Sequence, residues 1–240
     1  MAYTNSPLVS YTKLSPNHSG QRTHSIDRIT PHCVVGQCSV ETLGNVFLPT
    51  SRQASSNYGI GVDGRVGMYV EEKNRSWCSS SAANDQRAVT IECASDSKAP
   101  YAFKDVVYQR LIELCTDICK RNGKTKLLWL GDKTKTLNYS PKQDEMLLTV
   151  HRWFANKSCP GDWLYARMGD LAEKVTAALG GQSPASLDNT PAAWSKDAVN
   201  WTLENRLLMG DSNGNLKLRE NLTREQFCVM LKRYHDMLQK

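Results

Sequence analysis

The sequence has no uninterrupted apolar run near the roughly 18 residues that a membrane-spanning helix needs. Its opening, MAYTNSPLVSYTKLS, lacks the basic stretch and apolar core of a secretory signal. These absences predict a chain made in the cytoplasm that does not insert into a membrane. A compact basic run is also missing. The net charge of +6 is spread along the chain without a nucleic-acid motif, which argues against nucleic acid as a partner but suits a diffuse polyanionic surface such as a cell wall. The glycine-containing segments VVGQ and GIGVDG lack the spacing and lysine of a phosphate-binding loop. Low-complexity and collagen-like tracts are absent.

What is present is a chain of 240 residues, 40% hydrophobic and 22% charged, enough for one sizeable core and a small second module. Its eight cysteines lie mostly in apolar patterns, so most are read as reduced core residues rather than as a disulfide framework. The stretch GGQSPASLDNTP has glycines, prolines and small polar residues but no apolar period. It divides the chain into a main domain over 1–180, a linker over 181–191 and a module over 192–240.

Strands alternate with helices in the main domain. IDRITPHCVVG reads as a strand, SVETLGNVFL as a short helix capped by Ser39, and YGIGVDGRVGMYV as two strands joined at Asp63-Gly64. In AVTIECA the alternation puts Val89, Ile91 and Cys93 on one face, with Thr90 and Glu92 on the other. Residues 104–122 repeat apolar positions at helical spacing and stop at Asn122-Gly123; LLWLGDK predicts a strand, and 163–178 a second amphipathic helix. The expected fold class is α/β, a mixed central β-sheet flanked by helices, followed by a small all-α module.

The segment HRWFANKSCPGDW sets His151 eight residues before Cys159, with Lys157 between them. Imidazole and thiolate are both zinc ligands, yet a buried cysteine beside a helix-terminal histidine would leave the same pattern. A hydrolytic zinc site needs three protein ligands and one open position, and His32, at the edge of a strand, is the candidate for the third. His18 and His24 fall in a polar amino-terminal segment and His235 in the separate module, where surface roles suffice.

Taken together, His32 on its strand, YGIGVDGRV, AVTIEC and HRWFANKSCPGD resemble the type-2 zinc-dependent N-acetylmuramoyl-L-alanine amidases. That family includes phage endolysins and is similar to the peptidoglycan-recognition proteins. The resemblance spans about residues 22–175, and the opening segment also resembles amidase lysins of clostridial phages or their hosts. It implies one Zn²⁺ held by His32, His151 and Cys159, with water in the fourth position, and Lys157 beside the scissile carbonyl. It implies Glu92 as proton shuttle and Tyr58 as a supporting residue near the metal, an assignment that could also run the other way. The bond cut would join N-acetylmuramic acid to L-alanine in peptidoglycan, that of a clostridial or related Gram-positive wall. A lysin without a signal would reach that wall only after the membrane is permeabilised. Asn84, Asp85 and Arg87 are candidate substrate contacts. The chain departs from the pattern at Trp77-Cys78, where many relatives have tryptophan-histidine, and in Val-Thr-Ile-Glu, where many have a glycine. Two readings compete: a recognition protein that binds peptidoglycan without cutting it, and a zinc peptidase of another specificity. A glycosidase would need a carboxylate partner for Glu92, and the sequence offers none.

The terminal module predicts two helices. Ala198, Trp201, Leu203, Leu207 and Leu208 supply the first apolar surface; Asp211–Gly214 forms a turn; Thr223 caps a second helix that packs through Phe227, Met230, Leu231 and Tyr234. The pattern resembles one surface-layer-homology repeat, which implies attachment to a wall polymer. So small a core also suits a homodimer.

Overall fold

The computed structural model describes residues 3–180, 189–210 and 215–239. Most of the expected linker and the whole expected turn at 211–214 lie outside the described residues. The chain divides into two compact units, Met1–Ser183 and Pro184–Lys240.

The described residues of the first unit form nine strands: β1 Val9–Thr12, β2 His18–Gln21, β3 Arg28–Cys33, β4 Tyr58–Ile60, β5 Val66–Met68, β6 Asn74–Ser76, β7 Ala88–Cys93, β8 Lys126–Leu128 and β9 Glu145–Leu148. Its helices are α1 Val40–Phe47, α2 Ala82–Asp85, α3 Asp105–Arg121, α4 Lys133–Asn138, α5 Asp162–Tyr165 and α6 Met168–Ala178. Seven strands form one sheet in the order β1-β5-β4-β7-β3-β9-β8, and β2 pairs with β6 in a small second sheet. Only the β4–β5 hairpin is antiparallel within the large sheet; its other pairings are parallel. The fold is thus a mixed central sheet flanked by helices.

β3 and β7 are buried on both faces but apolar on one: Thr30, Thr90, His32 and Glu92 share the other. Ile29, Val89, Ile91 and Cys93 are buried with Val107, Leu111, Leu114, Cys115 and Ile118 of α3 and Leu171 and Val175 of α6. Ser39 caps α1 by accepting a hydrogen bond from Thr42 N. The helix expected over 163–178 is instead two: Tyr165 and Ala166 close α5 onto Gly161 and Asp162, and α6 starts afresh at Met168. Arg167, which joins them, lays its guanidinium over the Trp163 ring, 4.1 Å from the centroid.

One close approach sets the hairpin. Gly59 and Gly67 face each other across β4 and β5, and the Tyr69 ring lies over both, its hydroxyl donating to Val40 O at 2.8 Å. A methyl group at Gly59 would sit 2.7 Å from the Tyr69 ring and 2.7 Å from Leu43. The pair of glycines therefore lets α1 dock on the sheet edge.

In the second unit, α7 spans Lys196–Glu204 and α8 spans Arg224–Leu238. A reciprocal cap starts α8: Gln226 N donates to Thr223 Oγ1 at 3.1 Å and Thr223 N donates to Gln226 Oε1 at 2.8 Å. Leu207 and Leu208 fall beyond the end of α7, and of the expected apolar residues Leu207 alone is buried. Phe227, Leu231 and Tyr234, expected to pack, are exposed, as are Trp194 and Trp201. Two helices of this length leave most of their apolar stripe uncovered. No helix among the described residues is long and apolar enough to cross a membrane.

Gly67→Ala is expected to lower stability by about 1–3 kcal/mol through overpacking against Tyr69, read as a reduced denaturation midpoint. An unchanged midpoint would mean that Tyr69 swings away without penalty.

Candidate metal centre

Three adjacent parallel strands, β7, β3 and β9, end at one edge of the sheet. Open α/β sheets place their ligand sites beyond the carboxyl ends of such strands. His32 and Glu92 sit directly opposite each other in the β3–β7 register, so their side chains leave the sheet on the same face. His151 follows β9 in a short 3-10 turn, His151–Trp153. The chain then loops back, Arg152 N donating to Cys159 O at 3.1 Å, and returns Cys159 to the same edge. Gly161 anchors that return with φ +83°, and a Cβ there would lie 2.9 Å from Tyr101 Cβ and 3.0 Å from Pro100 O. Only glycine suits both the backbone angle and the approach.

The loop brings His32, His151 and Cys159 together, with one ligand atom from each within 4.8 Å of the others. Cys159 Sγ is 3.2 Å from His32 Nδ1, and the two imidazole rings meet edge-on with centroids 5.1 Å apart. Ligand atoms around a tetrahedral zinc ion lie roughly 3.3–3.8 Å apart, from its bond lengths, so the group is the right size to close on one ion. A second observation fits a metal. His32 Nε2 and Glu92 Oε2 are buried without a hydrogen-bond partner, which a protein interior rarely tolerates.

The electrostatics suit neutral nitrogen ligands. Burial, and then the neighbouring His151, hold the His32 pKa well below the ordinary imidazole range. Burial and then Lys157 lower that of His151. Burial raises the Cys159 thiol well above its usual value, so metal binding would expel a proton there. Burial likewise pushes Glu92 up to about 7. Its Oε1 lies 4.0 Å from His32 Nδ1, and its side chain keeps 17% of its surface exposed.

The group opens into a cleft of about 560 Å³ lined by Arg52, Arg75, Trp77, Cys78, Glu92, His151 and Lys157, among others. A smaller hollow of about 350 Å³ reaches His32 and Cys159 and shares Glu92, His151 and Lys157. Lys157 is exposed at the rim. Five of the six expected site residues therefore meet at one place: His32, His151, Cys159, Glu92 and Lys157.

Tyr58 does not join them. It pairs with Ile91 rather than Glu92, which turns it to the opposite face of the sheet. There its buried hydroxyl donates to Glu72 Oε1 at 2.7 Å and accepts from Ser6 N at 2.9 Å. Glu72 is also held by Arg121, so Tyr58 belongs to a buried ionic network that ties down the amino-terminal segment. The expected role of Tyr58 beside the metal is thereby corrected. Asn84 is buried, bonding Thr30 and Thr149 beneath the edge, and Arg87 pairs with Asp27. Asp85 does line the cleft, where it accepts hydrogen bonds from the backbone of Cys78 and Ser79.

Sequence reasoning missed Ser80, whose hydroxyl lies 2.9 Å from His151 Nε2. It also missed Arg52 and Arg75 in the cleft. Their distance along the chain from every ligand hid them. The departure at Trp77-Cys78 was the signal nearest to them.

The profile of the family described as N-acetylmuramoyl-L-alanine amidase matches residues 17–162, more than half of the chain. No curated protein matches. Among solved structures, a selenomethionine derivative of AmpD is 17% identical, with a TM-score of 0.49, covering 72% of this chain and 99% of that one. The PlyL structure is 16% identical, with a TM-score of 0.46, covering 69% and 95%. N-acetylmuramoyl-L-alanine amidase LysC from Clostridium intestinale URNW is 16% identical, with a TM-score of 0.45, covering 76% and 96%.

Tyr58→Phe is expected to cost about 1–3 kcal/mol of stability by unpairing buried polar groups, while the folded protein keeps its metal affinity. Chemical denaturation beside metal titration checks this; a loss of metal affinity at unchanged stability would return Tyr58 to the site.

Proposed function

The chain belongs to the amidase-2 family of N-acetylmuramoyl-L-alanine amidases, and on that premise we propose that it hydrolyses the bond between N-acetylmuramic acid and L-alanine in peptidoglycan. The observation that carries the reading is the convergence of His32, His151 and Cys159 at a cleft also lined by Glu92 and Lys157. In this reading the three residues hold one Zn²⁺, which when bound supplies the Lewis acidity that activates water and polarises the amide carbonyl. Glu92 accepts a proton from the attacking water at a carboxylate oxygen. It then delivers that proton to the departing L-alanine nitrogen as the C–N bond breaks. Lys157, at the rim, donates to the oxygen that gains negative charge. Ser80 orients the His151 ring from outside the ligand set.

The substrate wall in this proposal is Gram-positive, clostridial or related, reached as a lysin does once the membrane has been permeabilised. The test is mass spectrometry of soluble products from purified clostridial peptidoglycan, with bound zinc measured in the wild type and in Cys159→Ser. Free stem peptides beginning with L-alanine are expected. The variant should lose zinc, and its rate should fall by more than the roughly 10–100-fold that loss of a supporting partner costs. Wall binding without released peptides, at full zinc occupancy, would leave a recognition protein. Cleavage at another peptide bond would leave a zinc peptidase.

The second unit is proposed to hold a wall polymer, on its surface-layer-homology-like sequence. Self-association competes with that role, because Trp194, 91% exposed, and Phe227, 51% exposed, leave apolar surface to cover. Binding to intact walls but not to walls stripped of secondary polymers is expected, with the whole chain sedimenting as a monomer. A dimer that binds both walls equally would reverse the assignment.

A further inference from the structure

Cys78 lies beside Glu92, and the proposed mechanism does not use it. Its Sγ lies 3.7 Å from Glu92 Oε1, and Glu92 Oε1 lies 4.0 Å from His32 Nδ1. His32, Cys78 and Glu92 thus form a second group whose ligand atoms lie within 4.8 Å of one another. The spacing is close to the roughly 3.3–3.8 Å between ligand atoms around a tetrahedral ion.

Three further observations make this more than a chance meeting of side chains. His32 is 1% exposed and its Nε2 has no partner, while the second oxygen of Glu92, Oε2, is likewise buried and unpaired. The backbone that carries Cys78 is fixed: Cys78 N and Ser79 N donate to Asp85 Oδ2 at 3.0 and 3.1 Å. An entry path exists, because Cys78 and Glu92 both line the 560 Å³ cleft.

We propose that His32, Cys78 and Glu92 form a second, alternative binding position for a thiophilic divalent ion such as Cd²⁺. The position shares His32 with the zinc set of the proposed function. Binding replaces the Cys78 S–H bond with a sulfur–metal bond, and the thiol proton passes to solvent. An ion there also engages the Glu92 carboxylate. Because His32 Nδ1 faces both sets, the two positions exclude each other. Resting on the proposed function, Cd²⁺ added in competition with Zn²⁺ is predicted to inhibit hydrolysis by withdrawing His32 and the proton acceptor.

The test uses the full chain and Cd²⁺ alone as the probe, because the thiolate charge-transfer band of bound cadmium lies at longer wavelength than that of zinc. Cys159→Ser removes one residue of the first set and leaves the second intact. That variant is expected to bind Cd²⁺ with a thiolate charge-transfer band. Adding Cys78→Ser should abolish the band or weaken binding by about ten-fold or more, and adding the isosteric Glu92→Gln instead should weaken it by a similar factor. Circular dichroism establishes that each variant is folded, and Glu92→Gln serves should the double cysteine variant fail to fold. A Cys159→Ser titration that shows no band, or one that neither second change alters, overturns the proposal. Failure of the amidase reading would appear separately, in the peptidoglycan products and the zinc content of Cys159→Ser.

Discussion

The parallel pairing of β3 with β7 and β9 is the constraint on which the candidate site depends. Six consecutive register pairs join β3 to β7, from Arg28 opposite Ala88 to Cys33 opposite Cys93. A slip of one residue would turn His32 and Glu92 to opposite faces. The register resists such a slip because Ile29, Val89 and Ile91 are buried among the helices, and a shift would drive polar groups into that core. The histidine and the carboxylate are thus held on rigid strands, as a site needing sub-ångström placement requires. His151 and Cys159 come from the less regular chain after β9, and the return past Gly161 positions them.

The two faces of the sheet divide the polar chemistry. On one, His32 and Glu92 keep buried atoms without hydrogen-bond partners, an arrangement that a bound cation would relieve. On the other, Tyr58, Glu72 and Arg121 satisfy one another. An unpaired buried group costs more than a paired one contributes, so the contrast distinguishes a site from a structural network. Two residues one register step apart, Tyr58 and Gly59, separate these surroundings. Next to the first face, Cys78 adds a second thiol to a place where one already stands, and Asp85 keeps it there.

Much of the first unit was legible in the residues. Alternation in AVTIECA correctly put Glu92 on the face away from Val89 and Ile91, and the apolar spacing of 104–122 marked α3 within a residue at each end. The break between α5 and α6 was not legible, because Trp163, Leu164, Met168 and Leu171 keep nearly helical spacing across it. Tyr58 was misplaced for a related reason. Its role came from the family resemblance, and a strand of three residues has too little alternation to test that placement. The second unit's apolar stripe was visible, but its exposure followed from the lack, among the described residues, of a further long helix or strand to cover it.

By itself, the sequence determined the local periods, the caps at Ser39 and Thr223, and the identity of the residue types able to bind a metal. It also set His151 and Cys159 eight residues apart, yet an extended chain of that length reaches about 26 Å, so their meeting depended on the loop that returns Cys159 to Arg152. Only the tertiary structure decided that His32, more than a hundred residues earlier, meets them, and that Cys78 and Ser80 stand beside them. The reason is physical: periodicity reports which side of its own element a residue takes, whereas distance between elements depends on strand order and register. Those arise from burying all the elements against one another at once.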